Sequence, residues 1–254
     1  VIDVHSGEIL AMASYPDYDP NSWVGGISVA EYNQIKENNA LFNKAVSGSY
    51  APGSIFKMVT ALAGLETGVI STNEKINDTG IYTKYKDYQP RCWYYNSYHR
   101  GHGYLNVSGA IQHSCNYFFY ETGNRMGINT LDKYAQYFGL GTKTGIELPS
   151  ETSGTLASQE VAKKLGETWS AGQVLQASIG QSYNSFSPIQ LVKYIAMVAN
   201  GGNKIKPTLV KRILNADGTE SSKTEINQYV KQKLGLEDDT SENLSFSETN
   251  IKAV

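Results

Sequence analysis

The chain has 254 residues, of which 40% are hydrophobic, and a net charge of −2; it can bury a sizeable core, and its charge gives no electrostatic reason to expect nucleic acid or an anionic membrane surface as partner. Two cysteines, Cys92 and Cys115, exclude a disulfide framework while leaving room for one bridge, and no run approaches the ~20 apolar residues of a membrane span. The 18 tyrosines are conspicuous: a ring with one hydroxyl suits a polar ligand, and a bias in genome composition would give the same count.

In chain order, residues 1–14 read as a hairpin, with Val1-Ile2-Asp3-Val4 and Ile9-Leu10-Ala11-Met12-Ala13 flanking the glycine-bearing turn His5-Ser6-Gly7-Glu8. Tyr15-Pro16-Asp17-Tyr18-Asp19-Pro20-Asn21 breaks regular structure. Ala51-Pro52-Gly53 enters a helix over 54–66 that is apolar nearly all round, hence a core helix, and Gly68 stops it. Residues 78–104 read as a long aromatic and polar loop. Helices follow over 105–112, 117–126 and 130–138, then an extended or turn-like stretch from Thr142 to Pro149. A helix over 188–200 has Ser187 as N-cap, Pro188 in its first position and Gly201-Gly202 at its end. Lys206 to Leu214 suits a strand, and the chain beyond Asn215 is polar until Ile251. No repeat and no linker divides the chain. Val1 lies in an apolar run with no initiator Met, so the sequence reads as part of a longer one.

Two short motifs could carry chemistry. In Ser54-Ile55-Phe56-Lys57 the serine and lysine fall at i and i+3 on one helix face. A lysine buried in an apolar helix loses proton affinity and can serve as the base that a serine nucleophile needs, and a helix N-terminus favours a developing oxyanion. Ser-x-x-Lys is common by chance; two polar residues on an otherwise apolar helix, just after Pro-Gly, are not, because a buried lysine without a role is costly. In Ser114-Cys115-Asn116 the serine could relay a proton and the asparagine hold a substrate amide. Ser-x-Asn recurs at Ser71, Ser182 and Ser241, and helix capping explains such tripeptides equally well. The copy at Ser114 differs in lying between two helical stretches ahead of Tyr117-Phe118-Phe119-Tyr120.

Ser54-x-x-Lys57 followed by Ser114-x-Asn116 resembles the motif set of penicillin-recognising serine transpeptidases and β-lactamases. The stretch from Asp3 to Pro16 with Asp19-Pro20-Asn21, the turn Tyr50-Ala51-Pro52-Gly53-Ser54, the segment Gly141 to Pro149, and Gly180-Gln181 through Pro188-Ile189-Gln190-Leu191 are similar to class B penicillin-binding proteins. Within that class the likeness is to the elongation-type group, penicillin-binding protein 2, in a tyrosine-rich version. It runs from Val1 to about Leu214. The resemblance implies an α/β fold, an antiparallel sheet flanked by helices with a helical subdomain, present over 1–254 as a partial transpeptidase domain without its N-terminal anchor and pedestal. It implies a serine-type D,D-transpeptidase in which Ser54 attacks, Lys57 is the base, Ser114 relays the proton and Asn116 orients the acyl donor. The implied partners are peptidoglycan stem peptides, β-lactam antibiotics, a membrane-embedded glycan polymerase and other elongation-complex proteins, at the outer face of the cytoplasmic membrane. The family's third motif, Lys-Ser/Thr-Gly, is spelled by Lys143-Thr144-Gly145, but only 27 residues after Asn116 and inside another signpost. It reads as a decoy, with the true motif expected beyond the helix near Ser247-Glu248-Thr249-Asn250 and the chain as given inactive. A non-catalytic β-lactam sensor, a β-lactamase and a sporulation or division enzyme share these motifs; no deacylating base points to the β-lactamase.

The two cysteines bracket a histidine-rich stretch, and Cys115 sits inside Ser-x-Asn. A zinc clip, a Cys92–Cys115 disulfide and two unpaired thiols all suit that spacing. The resemblance favours zinc. In the elongation-type group the ligands fall at an Asp before a Gly-bearing turn, a residue preceding Trp, the His of Gly-His-Gly and the residue after the motif Ser. Those positions are Asp78, Cys92, His102 and Cys115 here, with His99 and His113 as substitutes and Cys92 standing where a carboxylate is frequent.

Overall fold

The computed structural model describes residues 1–235 and 244–254. The opening hairpin closes as a turn, Asp3 to Glu8, with a single antiparallel bridge from Ile2 to Ile9. Helix α1 (Val29–Glu37) follows, with a Ser28/Glu31 capping box and no buried residue, which is why apolar periodicity did not announce it. A 3₁₀ turn (Gly53–Phe56) leads into α2 (Lys57–Glu66), where eight residues are buried.

Residues 78–104 hold more structure than a loop. β1 (Ile76–Asp78) pairs antiparallel with β2 (Gly103–Leu105), Asp78 opposite Gly103, and α3 (Trp93–Tyr98) lies between them. Three-residue strands and one six-residue helix are too short for a periodic signal. Next come α4 (Val107–Gln112), α5 (Asn116–Met126) and α6 (Ile128–Tyr137), within two residues of expectation. Helices α7 (Gln159–Lys164) and α8 (Ala171–Ala177) were not foreseen; serines at 158 and 170 cap them. α9 (Pro188–Ala199) matches its predicted span, including the Ser187 cap. The stretch 206–214 is not a strand but makes isolated bridges, Thr208 with Glu8 and Leu214 with Glu220. Beyond it α10 (Lys223–Leu234) starts on a Ser222/Glu225 capping box and α11 (Glu248–Ala253) closes the described chain.

Two hydrophobic clusters meet at α2. Phe56, Val59, Leu62 and Ala63 pack toward α6, Phe186 and α9, while Ala61 and Leu65 pack toward α4, α5 and α8. A helix between two cores must be apolar all round, so the pattern read in the sequence has its cause in this position. Lys57 begins that helix and is only 2% exposed. The fold thus carries a charged side chain into the boundary between the cores.

Candidate active site

Ser54 stands exposed in the 3₁₀ turn, one turn ahead of α2. The turn is pinned from below: Gly53 N–H donates to the Gly180 carbonyl at 2.9 Å. Gly180 has φ +74°, and a Cβ there would lie 2.2 Å from the Gly53 carbonyl oxygen and 2.7 Å from Phe56 Cβ. Only glycine permits this approach, and it fixes the height of Ser54 over the core.

Ser114 reaches the same point from the α4–α5 junction. Its φ is +49°, a left-handed backbone that costs a serine about 1–3 kcal/mol and persists only where surroundings enforce it. The enforcement is visible. The Ser114 carbonyl accepts from Lys57 Nζ at 2.8 Å and from Trp93 Nε1 at 3.0 Å. Cys115 then caps α5, its sulfur accepting from Phe118 N–H at 3.5 Å. In this conformation the Ser114 hydroxyl donates to Ser54 Oγ at 2.9 Å and accepts from Lys57 Nζ at 3.0 Å. Lys57 Nζ also donates to Asn116 Oδ1 at 2.6 Å and lies 5.8 Å from the centre of the Phe119 ring. The expected Ser54–Lys57 pair is therefore linked through the Ser114 hydroxyl.

Burial lowers the Lys57 pKa to about 8, against the pull of the nearby cysteine sulfurs, which favour its charge. A hydroxyl joined through a second hydroxyl to such an amine can lose its proton along that line when a carbonyl carbon arrives.

The other Ser-x-Asn copies have structural work. Ser71 Oγ accepts from Glu74 N–H, and Asn184 accepts from Ala157 N–H and donates to the Ala177 carbonyl; the copy at Ser241 lies outside the described residues. Lys143-Thr144-Gly145 is a structural loop: the buried Glu151 carboxylate accepts from Thr144 N–H at 2.7 Å, Thr144 Oγ1 at 2.6 Å and Gly145 N–H at 3.2 Å.

Directly behind Ser114, Asp78, Cys92, His102 and Cys115 converge, with one ligand atom from each lying within 4.8 Å of all the others. His102 Nδ1 is 2.7 Å from Asp78 Oδ2 and 3.6 Å from Cys92 Sγ; Cys115 Sγ is 3.3 Å from Asp78 Oδ2 and 4.0 Å from Cys92 Sγ. At ordinary zinc bond lengths, tetrahedral ligands stand about 3.3–3.8 Å apart, so the set fits a zinc ion. A disulfide needs sulfurs about 2 Å apart, and both thiols are free. Contact between the two sulfurs lowers the Cys92 pKa and raises that of Cys115. Burial raises Asp78, but hydrogen bonds from His102, Gly80 and Cys115 outweigh it and hold its carboxyl below the usual range. His102 Nε2 is buried without a hydrogen-bond partner among the described residues, and the ring stacks on Tyr94 at 4.3 Å. Gly101 makes the approach possible, since a Cβ there would sit 1.9 Å from the Asp78 carbonyl oxygen. His99 and His113 are exposed and lie outside the set. Sequence reasoning named Gly180 only as part of a family signpost, not as the support of the Ser54 turn, and missed the role of the Trp93 indole, which joins α3 to Ser114. Trp93 was visible only as the neighbour of Cys92.

The model of the penicillin binding protein transpeptidase domain matches residues 1–247. This chain belongs to that family. It is similar to the peptidoglycan D,D-transpeptidase MrdA of Acinetobacter baumannii, 36% identical over 219 residues that cover 83% of this chain and 31% of that protein. The MrdA of Escherichia coli is 35% identical over 211 residues, covering 80% and 32%. Among solved structures, Pseudomonas aeruginosa PBP2 in complex with WCK 5153 aligns with a TM-score of 0.83 at 31% identity, over 99% of this chain and 54% of that one. Helicobacter pylori PBP2 in its complex with MreC gives 0.76 at 30%, over 92% and 42%. The α/β transpeptidase fold and the likeness to penicillin-binding protein 2 are thereby established. The chain spans about a third of the length of the curated relatives it matches.

Proposed function

We propose that this chain supplies the acyl-transfer centre of an elongation-type peptidoglycan D,D-transpeptidase. One observation carries the reading: the hydrogen-bonded line from Ser54 through the Ser114 hydroxyl to a desolvated Lys57 amine. With a pKa of about 8, about a tenth of Lys57 is neutral at pH 7. In that form it accepts the Ser54 proton through Ser114 while Ser54 Oγ attacks the penultimate D-Ala carbonyl of a stem peptide. The C–N bond to the terminal D-Ala breaks, and the leaving amine takes the proton back by way of Ser114. An amine of a neighbouring strand then attacks the Ser54 ester; the new amide forms and the Ser54 hydroxyl is restored. Asn116 gives its carbonyl oxygen to Lys57 and its amide also meets the Tyr120 hydroxyl, which leaves one N–H to orient the donor peptide. A β-lactam follows the same first step and stops at the ester.

Asp78, Cys92, His102 and Cys115 would hold a zinc ion, which supplies structural order rather than reactivity there. Because Cys115 lies between Ser114 and Asn116, fixing its sulfur fixes both. The MreC complex and a solved peptidoglycan synthase complex that coordinates polymerization and crosslinking support elongation-complex proteins and a glycan polymerase as partners, at the outer face of the cytoplasmic membrane. No helix among the described residues is long and apolar enough to cross a membrane. The test is cross-linking itself: the full-length protein, given a pentapeptide donor and an amine acceptor, releases D-Ala and forms the amide. Acylation by penicillin with no release of D-Ala from the pentapeptide would make the protein a sensor instead.

A further inference from the structure

A cavity of about 610 Å³ lies beside this centre and takes no part in the steps above. One wall is the stretch before α3, with Tyr85, Asp87 and Tyr88; the other runs from Glu167 through α8 to Tyr183. Its size suits a peptide side chain with adjoining backbone. The walls are built rather than incidental. Tyr88 accepts from Gln176 Nε2, and its ring lies over Gly172, where a Cβ would stand 2.8 Å from Tyr88 Cδ1. Tyr85 donates to Asn124. Gln173 donates to the Tyr183 hydroxyl at 2.6 Å, and Tyr183 donates in turn to one oxygen of Glu167. That chain holds the carboxylate at the rim, with no hydrogen bond to its other oxygen among the described residues.

Two links tie the cavity to the residues around the nucleophile. Ser182 at its rim comes two residues after Gly180, whose carbonyl pins the Ser54 turn. Gln176 also interacts with the Tyr120 hydroxyl, which interacts with Asn116. The lining is selective in charge: it carries the carboxylates Asp87 and Glu167 and no lysine or arginine. Lys84 and Lys86 precede Asp87 in sequence but do not line the cavity. Asp87 forms no ion pair with the described residues. Tyrosine faces and carboxylates together suit an ammonium group on an aliphatic stem.

We propose that this cavity is a subsite for the primary ammonium group of a peptidoglycan stem peptide. The inference rests on the acyl-transfer reading, in which every cross-link consumes an amine borne by a stem. Donor and acceptor stems both bring that chemistry, and the experiment separates them.

The probe is the tripeptide L-Ala-γ-D-Glu-L-Lys with its α-amine acetylated, so that the lysine ammonium is its one amine, and the control is the same peptide acetylated also at Nε; neither carries D-Ala-D-Ala, so neither acylates Ser54. Titrated into the full chain, the free amine binds about fivefold or more tighter than the acetylated form, as two solvent-accessible carboxylates allow. The double variant Asp87→Asn, Glu167→Gln abolishes the difference while fluorescent penicillin still labels Ser54, which shows that the variant folds. Two kinetic arms then assign the source. Loss confined to acylation by a lysine-bearing pentapeptide assigns the donor stem. Loss confined to capture of a preformed acyl-enzyme by the tripeptide amine assigns the acceptor. Equal affinity for the two tripeptides, an unchanged preference in the double variant, or no effect in either arm overturns the subsite. An intact ammonium preference in a protein whose Ser54 takes no penicillin overturns the acyl-transfer reading instead.

Discussion

Replacing Lys57 with methionine removes a charge from a position that is 2% exposed and has acceptors at 2.6, 2.8 and 3.0 Å. Burial takes the lysine pKa from 10.5 to about 8, a cost of about 3 kcal/mol for holding the proton in the folded chain. Below pH 8 folded and unfolded chains both carry the proton and the whole cost stands. Between pH 8 and 10.5 the unfolded chain keeps a proton that the folded chain has lost, so stability rises with pH. Above 10.5 neither is charged and the cost is gone. Methionine does not titrate, so wild type gains between about 2 and 3 kcal/mol on Lys57→Met from pH 7 to pH 10. The gap at pH 7 is smaller than that cost alone, because methionine leaves Asn116 Oδ1 without its donor, at about 1–3 kcal/mol for a group left unsatisfied, while the Ser114 carbonyl keeps the Trp93 indole. Catalysis moves the other way: penicillin acylation of the full chain falls about 10²–10⁴-fold in Lys57→Met, and in wild type it climbs through pH 8 as the amine loses its proton. Denaturant unfolding at the two pH values and acylation rates from pH 6.5 to 9 are the assays. Parallel pH dependence of stability in the two proteins, or wild-type acylation that is flat across pH 8, would refute the reasoning.

Purified protein carries about one zinc per chain by elemental analysis, and its two thiols react with a thiol reagent only after chelation, which also lowers Tm; sub-stoichiometric zinc or a Cys92–Cys115 disulfide by mass spectrometry contradicts the site. Gly180→Ala pushes a methyl group to 2.2 Å from the Gly53 carbonyl in a left-handed backbone, so unfolding is easier by about 1–3 kcal/mol and acylation slows; unchanged melting and labelling would show that the Ser54 turn does not need this contact. Lys143→Ala leaves penicillin acylation at the wild-type rate, because Thr144 and Gly145 are tied to Glu151; a loss of a hundredfold would make Lys143 the third motif.

The sequence made legible whatever depends on one strong local pattern. The helix at 57–66 announced itself because two cores enclose it, and 188–199 because Ser187-Pro188 and Gly201-Gly202 punctuate it. Helices α1, α7, α8 and α10 were silent, having few buried residues or few turns, and only their capping serines marked them. For the site, residue types and spacing brought out Ser54, Lys57, Ser114 and Asn116, and the metal quartet emerged from likeness to a family. The connection between the two groups was not legible. It depends on a positive φ at Ser114, an indole arriving from α3 and the hydroxyl that stands between Ser54 and Lys57. These are long-range contacts that no local window contains.

The central claim is that Ser54 is the residue that forms the acyl-enzyme. Full-length protein treated with a fluorescent penicillin, digested and mapped by mass spectrometry, should carry one adduct, on the peptide containing Ser54, and Ser54→Ala should carry none. An adduct on any other residue, or labelling that persists in Ser54→Ala, would contradict the account.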